Sequence, residues 1–204
     1  MTILSTAYFP PISWMALLLQ SASSQVDLFE TYQKQSYRNR CRLGTANGVM
    51  SLSVPVKKPN GNQTISRDVL IEYKQNWPLV HWRSIQAAYQ SSPFFLYYQD
   101  EIEAVFLQKY DSLASMNRYI VEEIAGLIGF QAALSNTNDF ILPDTLEHDF
   151  RFKIHPKKPM VFSFEKYSQV FEHKYPFMED LSILDLLFNL GPESLYYLEN
   201  ISLK

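Results

Sequence analysis

Residues 3–32 read ILSTAYFPPISWMALLLQSASSQVDLFETY, and the order of elements they predict sets the fold class. Ile3–Phe9 has the composition of a short strand, which Pro10-Pro11 ends because proline lacks the backbone N–H that a strand ladder needs. From Pro11 to Ala22 the apolar residues follow helical spacing, with proline at the first position. Gln25–Tyr32 returns to an extended pattern. Strand, helix and strand in this order predict a βαβ unit and an α/β fold.

The remaining sequence predicts a β-hairpin and several helices. Tyr37–Leu43 and Val49–Val56 flank an Asn-Gly pair, a dipeptide typical of hairpin turns. The further predicted elements are a strand at Val69–Tyr73, a helix at Trp77–Tyr89, two helical segments in Phe94–Ile128 divided near Asp111–Ser115, a short strand at Gln131–Ser135 and a helix in LSILDLLFN that stops at Gly191-Pro192. We therefore expect one α/β domain over residues 1–204, with a mixed, largely parallel sheet, flanking helices and a β-hairpin insertion. Residues 136–160 are polar and rich in proline, and we expect them to be irregular or mobile.

Composition and charge exclude several classes of protein. A net charge of −3 and a pI near 5.8 argue against a nucleic-acid partner, which requires a basic domain. The apolar run Met15–Leu19 is far shorter than the roughly 20 residues of a membrane span. No Lys or Arg precedes that run, as a secretory signal would require. We therefore expect a cytoplasmic protein without a membrane span, and its one cysteine, Cys41, excludes an internal disulfide.

The sequence contains no motif for a metal or a cofactor. There is neither a Walker A loop nor a G-x-G-x-x-G, so side chains or helix N-termini would have to bind any phosphate. The histidines lack the i, i+3 or i, i+4 spacing of metal ligands, and they lie at positions 81, 148, 155 and 173. We therefore expect no metal site, and the sequence leaves the cofactor unknown.

Residues 31–42, TYQKQSYRNRCR, collect the cations Lys34, Arg38, Arg40 and Arg42. On a strand, whose side chains alternate between two faces, the three arginines lie on one face. Three guanidinium groups repel each other unless anions lie opposite, and their planar fork suits phosphate and carboxylate. This pattern predicts a small phosphorylated or carboxylated ligand. The alternative is an exposed hairpin face that surface carboxylates neutralise.

His81 lies in the predicted helix Trp77–Tyr89 and is the natural general acid or base of this chain. Histidine gains and loses its proton near neutral pH, which proton transfer requires. The alternative is a hydrogen-bonded packing residue between Trp77 and Trp82. Arg83 projects from another side of the same helix and is a further candidate ligand contact. No G-x-S-x-G occurs, so a serine-hydrolase triad has no support.

Several motifs together resemble the WbqC-like family of bacterial proteins. They are YFPPISWMALLLQSA, YQKQSYRNRCRL followed by LSVPV, NWPLVHWRSIQAAYQSSPFFLYYQD and the ending YSQVFEHKYPFMEDLSILDLLFNLGPESLYYL. The resemblance covers about nine-tenths of the chain and is weakest between residues 136 and 160. The family pattern falls on Tyr8, Pro11, Asn39, Arg40, Pro55, Trp77, His81, Tyr89, Pro93 and Phe95. Where broader members carry Gln-Pro this chain has Ala7-Tyr8, and Glu30 stands at the place of an acidic residue.

The resemblance implies a role in surface-polysaccharide (O-antigen) biosynthesis, and the candidate residues give that role a chemical form. We expect a group-transfer enzyme acting on a sugar nucleotide or activated sugar derivative, with His81 moving the proton. The expected substrate-binding residues are Tyr8, Glu30, Tyr32, Arg38, Asn39, Arg40 and Arg83. The site would lie at the carboxyl ends of the first strands, beside the hairpin and the Trp77–Tyr89 helix. The alternative is a non-catalytic binding or assembly protein that docks an acidic protein partner through its basic hairpin.

Overall fold

A strand, a helix and a second strand open the fold of this computed structural model, which describes residues 1–143, 148–158 and 162–203. The three elements are β1 (Thr2–Ser5), α1 (Ile12–Gln20) and β2 (Ser24–Asp27). β1 and β2 pair in parallel, with Leu4 opposite Val26, so the predicted βαβ unit is confirmed. β1 ends before the predicted Phe9 because the chain leaves the sheet, and the Tyr8 N–H donates to the Tyr37 carbonyl at 2.9 Å.

The later elements add helices and short antiparallel pairs. They are β3 (Arg40–Thr45), β4 (Gly48–Ser53), β5 (Val56–Lys57), β6 (Leu70–Ile71), α2 (Trp77–Tyr89), α3 (Phe95–Leu107), α4 (Leu113–Ile128), β7 (Leu134–Asn136), β8 (Phe162–Ser163), α5 (Ile183–Leu190), α6 (Ser194–Asn200) and β9 (Ser202–Leu203). α2 has the predicted bounds, and the break between α3 and α4 lies close to the predicted one. α6 was not predicted, because a stop signal at Gly191-Pro192 does not exclude a new helix directly after it.

The main sheet is parallel and has the strand order β1-β2-β7. The pairs β3–β4, β5–β6 and β8–β9 form separate antiparallel sheets of two strands each. The predicted α/β class, with a parallel sheet, flanking helices and a hairpin, is therefore confirmed. Because parallel strands share their direction, the carboxyl ends of β1, β2 and β7 lie at one edge of the sheet.

The hairpin begins later than predicted, and this changes the arginine pattern. β3 starts at Arg40, so Arg38 lies outside the strand and is 1% exposed. The prediction that three arginines share one strand face is therefore wrong for Arg38. Arg40 and Arg42 do alternate with the buried Cys41 and are half-buried. The structure thus divides the cationic stretch into a buried arginine and two that reach the surface.

α1 is buried on almost every side and ties the sheet to the C-terminal helices. Its seven residues from Ile12 to Leu18 are all buried, and it contacts β1, α5 and α6. The Trp14 indole N–H donates to the Ser5 carbonyl at 3.0 Å and fixes the helix against β1. A helix that is apolar all round is typical of a protein core. Within the ranges given above, no helix combines the length and apolarity that crossing a membrane requires.

Asn136 ends β7, and the described residues between 137 and 158 belong to no helix or strand. Turns and bends predominate there, and Asp149 forms an isolated parallel bridge with Ile3 at the free edge of β1. The Phe150 N–H donates to the Ile3 carbonyl at 2.9 Å. Residues 144–147 and 159–160 lie outside the described residues, and mobility of the segment stays a prediction. The part next to β1 is integral to the fold.

Two glycines offer a matched test of the packing around α5. A Cβ on Gly191, whose φ is +54°, would lie 2.5–2.7 Å from the Phe94 ring, whereas a Cβ on Gly126 would meet nothing within 4 Å. Gly191→Ala should therefore lower the free energy of unfolding by about 1–3 kcal/mol through overpacking. Gly126→Ala, on an exposed helical position, should raise it by about 0.5–1 kcal/mol. Urea unfolding of both variants measures the difference, and equal effects would contradict this close approach.

Candidate functional site

Arg38 and Glu30, two predicted ligand contacts, form a buried ion pair with each other. The Arg38 Nε donates to Glu30 Oε1 at 2.7 Å and its Nη2 donates to Oε2 at 2.6 Å. Both side chains are at most 2% exposed. This bidentate geometry is the one that guanidinium and carboxylate favour. The guanidinium of Arg38 is therefore neutralised within the protein itself.

A second arginine, Arg151, extends this pair into a buried ion network. Its guanidinium donates to Asp149 Oδ2 at 2.6 Å, to Asp27 Oδ2 and to the Ile141 carbonyl at 2.8 Å. The Arg151 side chain is 0% exposed, and its carbonyl accepts from Arg38 Nη2 at 3.4 Å. Asp27 ends β2, so the network fastens the irregular segment after residue 136 to the main sheet. These residues were not predicted from the sequence.

His81 is buried beside Tyr8. The Tyr8 hydroxyl lies 2.8 Å from His81 Nδ1, and the backbone of Ser53 hydrogen-bonds the ring. Burial lowers the pKa of His81 to about 4, which the Ser53 bond opposes. The Trp77 ring lies edge-on at 5.0 Å. This environment favours a neutral packing histidine, while the proton-transfer role of His81 stays a prediction.

The other predicted contacts lie apart from His81. Asn39 donates to the Val54 carbonyl at 2.8 Å and holds the end of β4. Arg40 Nε donates to the Ser53 hydroxyl at 3.1 Å at the protein surface, and Arg83 on α2 is exposed. Tyr32 is buried, which raises its pKa to about 12, although Arg38 and Arg40 oppose the shift.

The predicted residues thus form pairs rather than one site. Tyr8 meets His81, and Glu30 meets Arg38. None of the eight predicted residues lines either of the two cavities described below. The roles of the eight predicted residues in substrate binding stay predictions. Arg40 lies at the surface, where a substrate can reach it.

A small cleft beside β3 gathers the cations that the fold leaves at the surface. We call it the basic cleft, and it is lined by Ser13, Tyr37, Arg42, Lys153, Ile154, His155, Pro156, Lys158, Phe162 and Asp180. Residues 153–158 read KIHPKK, so the irregular segment brings a second basic run against the first. Its cavity measures about 30 Å³, which suits the charged group of a ligand rather than a whole molecule.

Asp180 is the carboxylate that lines the basic cleft. It is 6% exposed, and it accepts from the Ser13 N–H at 2.8 Å and from the Ser13 hydroxyl at 2.9 Å. Ser13 lies in the first turn of α1, so Asp180 caps that helix from another part of the chain. Burial raises the pKa of Asp180 to about 6, against the opposing effects of Ser13 and Arg42. Asp180 therefore changes charge close to neutral pH.

The backbone around the basic cleft is strained. Among the described residues, three that are not glycine have a positive φ: Phe9 at 38°, Gln35 at 57° and Asp180 at 51°. Asp180 lines the cleft, and the Gln35 side chain contacts Lys157 beside it. Phe9 precedes the proline turn of α1, and its carbonyl accepts from the Ser182 hydroxyl at 3.0 Å. Such conformations cost energy and are concentrated at functional sites, which makes this cleft the leading candidate.

The electrostatics of the basic cleft favour an anion. Arg42, Lys153 and Lys158 line it, and Arg40 and Lys157 lie close enough to influence His155. Burial lowers the pKa of His155, and the charges of Arg38, Lys158, Lys157 and Arg40 lower it further. In the described ranges, Arg42 and Lys158 form no ion pair with a carboxylate.

The side chains of the cleft match an anionic group better than a metal ion. A phosphate or carboxylate would meet guanidinium and ammonium donors there, and a carboxyl group that titrates near neutral pH. No cluster of three or more His, Cys, Asp or Glu side chains suited to a metal ion occurs in the part of the chain that the structure describes.

Arg42 was counted among the cations of residues 31–42 but not among the predicted site residues, and the second basic run was not considered. The run at residues 31–42 contains Tyr37 and Arg42, and its predicted affinity for anions fits the cleft. The basic run at residues 153–158 was readable as a charge cluster, but nothing in the sequence placed it beside β3. The sequence around Asp180 does not indicate that its side chain is buried, because that burial depends on contacts with Ser13, which is distant in the chain.

Comparison with known proteins gives a family and one relative. The model of the WbqC-like protein family matches residues 6–154. The C-terminal ending, which also resembles the family, lies outside the matched residues. The chain is 28% identical over 114 residues to a protein of Mycobacterium tuberculosis (strain ATCC 25618 / H37Rv) named Uncharacterized protein Rv1507c. That match covers 55% of this chain and 49% of the relative, so it spans about half of the relative's length. No solved structure matches. Since the family model covers most of the chain, the protein belongs to the WbqC-like protein family.

Proposed function

We propose that this protein is a group-transfer enzyme that binds a phosphorylated or carboxylated substrate in the basic cleft. One observation carries the proposal: cations from β3 and from residues 153–158 converge on a buried carboxyl group in strained backbone. Group transfer works largely by positioning and charge stabilisation and needs few reactive side chains. A cleft with fixed cations and one titratable acid meets that requirement.

We assign different roles in the proposed reaction to the residues of the cleft. Arg42 and Lys158 would bind the anionic group, because neither forms a salt bridge among the described residues, although Arg42 lies close enough to Asp180 to lower its pKa. Asp180 would accept a proton from the attacking hydroxyl or amine, since its pKa is raised by burial to about 6. Ser13 holds the Asp180 carboxylate in place through two hydrogen bonds. Arg40, at the surface nearby, would contact a more distal part of the substrate.

Membership of the WbqC-like family supports a substrate from surface-polysaccharide metabolism. Sugar nucleotides and sugar phosphates carry the anionic group that the cleft suits, and the sugar would extend outward because the cavity is small. Reactions of such substrates in O-antigen biosynthesis would place the protein in the cytoplasm. These are parts of the proposal and rest on the family and the charge of the cleft together.

A second candidate function is the docking of an acidic protein partner. The basic surface continues beyond the cleft to Lys157 and to Lys34, which lies close enough to Lys58 to lower the pKa of that exposed amine. Extended basic surface favours recognition of a macromolecule over a single phosphate. The strained, buried Asp180 favours the enzyme, since a docking surface has no need of it.

A thermal-shift screen tests the proposal. Purified protein is screened with nucleotide sugars, sugar phosphates, acyl-CoA and amino acids, in parallel with Arg42→Gln. A ligand at 100 times its Kd should stabilise the wild type by about 2.7 kcal/mol, and Arg42→Gln should lose that gain. Lys109→Gln, which removes an exposed cation outside the basic cleft, is the control and should retain it. A ligand that stabilises all three proteins equally would refute this site. If no ligand raises the melting temperature of the wild type, the result would favour the docking function.

A further inference from the structure

A second, larger cavity lies at the carboxyl edge of the main sheet. We call it the edge cavity; it measures about 310 Å³, within the roughly 300–1,000 Å³ typical of small-molecule sites. It is lined by Thr6, Ala7, Trp14, Val26, Leu28, Arg67, Ser112, Ala114, Ser115, Asn117, Arg118, Val121, Leu134 and Asn136. Thr6, Ala7 and Leu28 follow β1 and β2, Asn136 ends β7, and Ser112, Ala114 and Ser115 lie at the start of α4, so this part of the lining lies where parallel α/β sheets bind ligands. The edge cavity shares no lining residue with the basic cleft.

Asn117 lines the edge cavity and carries a buried hydrogen-bond acceptor without a partner among the described residues. The side chain is 1% exposed, and its Nδ2 donates to the Thr6 hydroxyl at 3.0 Å and to the Arg38 carbonyl at 2.7 Å. These two bonds fix the amide, and its Oδ1 is buried without a hydrogen-bond partner. A buried polar atom without a partner is costly, so a ligand that donates an N–H or O–H to Oδ1 would relieve that cost.

The body of the edge cavity is apolar. Trp14, Val26 and Leu28 line it from the sheet side, and Val121 and Leu134 line it from α4 and β7. A ligand therefore needs an apolar or aromatic body to replace water there. Neither a bare phosphate nor a free sugar has such a body. The edge cavity and the basic cleft therefore select ligands of different chemistry.

The rim of the edge cavity carries positive charge. Arg67 and Arg118 line it together with the first turn of α4, whose amide dipoles favour an anion. Each guanidinium also pairs with a carboxylate, Asp68 at 3.3 Å and Glu122 at 2.7 Å. Both pairs are exposed to solvent, and such pairs compete weakly with a ligand. Arg118 donates further to the Leu134 carbonyl at 2.8 Å and to Asn136 Oδ1 at 3.4 Å, so its guanidinium is the more engaged of the two. Arg67 uses only its Nε in its pair, which leaves the outer nitrogens of its fork for a bidentate contact.

We propose that the edge cavity binds a small aromatic or heteroaromatic acid. Its ring would lie against Trp14 and the strand ends, an N–H or O–H on the ring would donate to Asn117 Oδ1, and its carboxylate or phosphate would face Arg67 and the N-terminus of α4. The proposal is independent of the basic cleft, because the two sites differ in their residues and in the ligands they select.

Three matched indole ligands test the proposal by calorimetric titration. Indole-3-acetate has the ring, the N–H and the carboxylate; 1-methylindole-3-acetate lacks the donor, and indole-3-acetamide lacks the charge. We expect indole-3-acetate to bind, and each altered ligand to bind about tenfold more weakly or worse. Indoxyl phosphate, run in parallel, shows whether the rim prefers phosphate to carboxylate.

Variants locate the binding. Ser115 is exposed and lines the cavity, so Ser115→Trp should obstruct it and abolish binding without disturbing the core. Arg67→Gln should weaken binding about tenfold through loss of the charged contact. Arg42→Gln, in the basic cleft, should leave it unchanged. Binding that survives Ser115→Trp, equal affinity for the methylated ligand, or no binding of either indole acid would overturn the proposal.

Discussion

Replacing Arg151 with methionine should lower the free energy of unfolding by about 3–5 kcal/mol. The methionine would fill similar space but remove the Arg151 guanidinium from Asp27 and Asp149, and both carboxylates are at most 4% exposed. A buried charge that loses its partner keeps the full cost of desolvation. Urea unfolding, monitored by tryptophan fluorescence, measures the loss. It also reports whether the slope of the transition, and hence the cooperativity, is preserved.

The control for this variant is an exposed ion pair. Lys57 pairs with Glu72 at 3.2 Å, and its side chain is 55% exposed. Lys57→Met should change the free energy of unfolding by about 1 kcal/mol or less. Comparable losses in the two variants would mean that the network around Arg151 is hydrated, and that the irregular segment contributes less to the fold than its contacts indicate.

The double variant Arg42→Gln, Lys158→Gln should bind sulfate about a hundredfold more weakly than the wild type, or worse. Each substitution removes a charge-assisted hydrogen bond, worth about 1.5–3 kcal/mol, from an anion in the basic cleft. Isothermal calorimetry at low ionic strength measures the change. Lys57→Gln with Lys109→Gln removes the same charge elsewhere on the surface and should leave the affinity nearly unchanged.

The pH dependence of sulfate binding follows from the groups that face the cleft. Burial raises the pKa of Asp180 to about 6 and lowers the pKa of His155. Burial also raises the pKa of Tyr37, so the Tyr37 hydroxyl stays neutral. As pH rises from 5 to 7.5, Asp180 becomes negative, so sulfate should bind more weakly. Asp180→Asn should reduce this dependence. Affinity that does not change with pH would exclude Asp180 from the anion site.

Titration of Asp180 also affects folding, with a sign that follows from its raised pKa. The folded protein holds this proton more tightly than the unfolded chain, whose carboxyl has a pKa near 3.8. The contribution of Asp180 to stability is therefore fully present below about pH 4 and is lost as pH rises through about 6. Over the same range, the stability of Asp180→Asn should fall less than that of the wild type.

The fold class followed from local patterns because those patterns are strong. A proline pair, an apolar helical run and an extended segment specify the βαβ unit almost without tertiary information, and α2 was predicted with its observed bounds. The bounds of β1 and β3 were less accurate. The end of β1 depends on Tyr8, which hydrogen-bonds Tyr37, and the start of β3 depends on Arg38, which pairs with Glu30. Both contacts join residues that are not neighbours in the sequence.

The candidate site was harder to predict because it is built from segments distant in sequence. The arginine pattern drew attention to residues 31–42, but it could not separate Arg38, which Glu30 neutralises in the core, from Arg42, which lines the cleft. That distinction rests on pairing across the fold. The environment of Asp180 likewise arises only when the chain after β8 returns to the first turn of α1.

Sulfate titration followed by ¹⁵N NMR tests the central claim most directly. If the basic cleft binds anions, chemical-shift changes should be concentrated at the amides of Ser13, Arg42, residues 153–155 and residues 157–158, and should saturate with a single Kd. The amides around Lys57 and Lys109 should move little. Changes scattered over all basic surfaces without saturation, or no changes at Ser13 and Arg42, would contradict the assignment of the cleft as the anion-binding site.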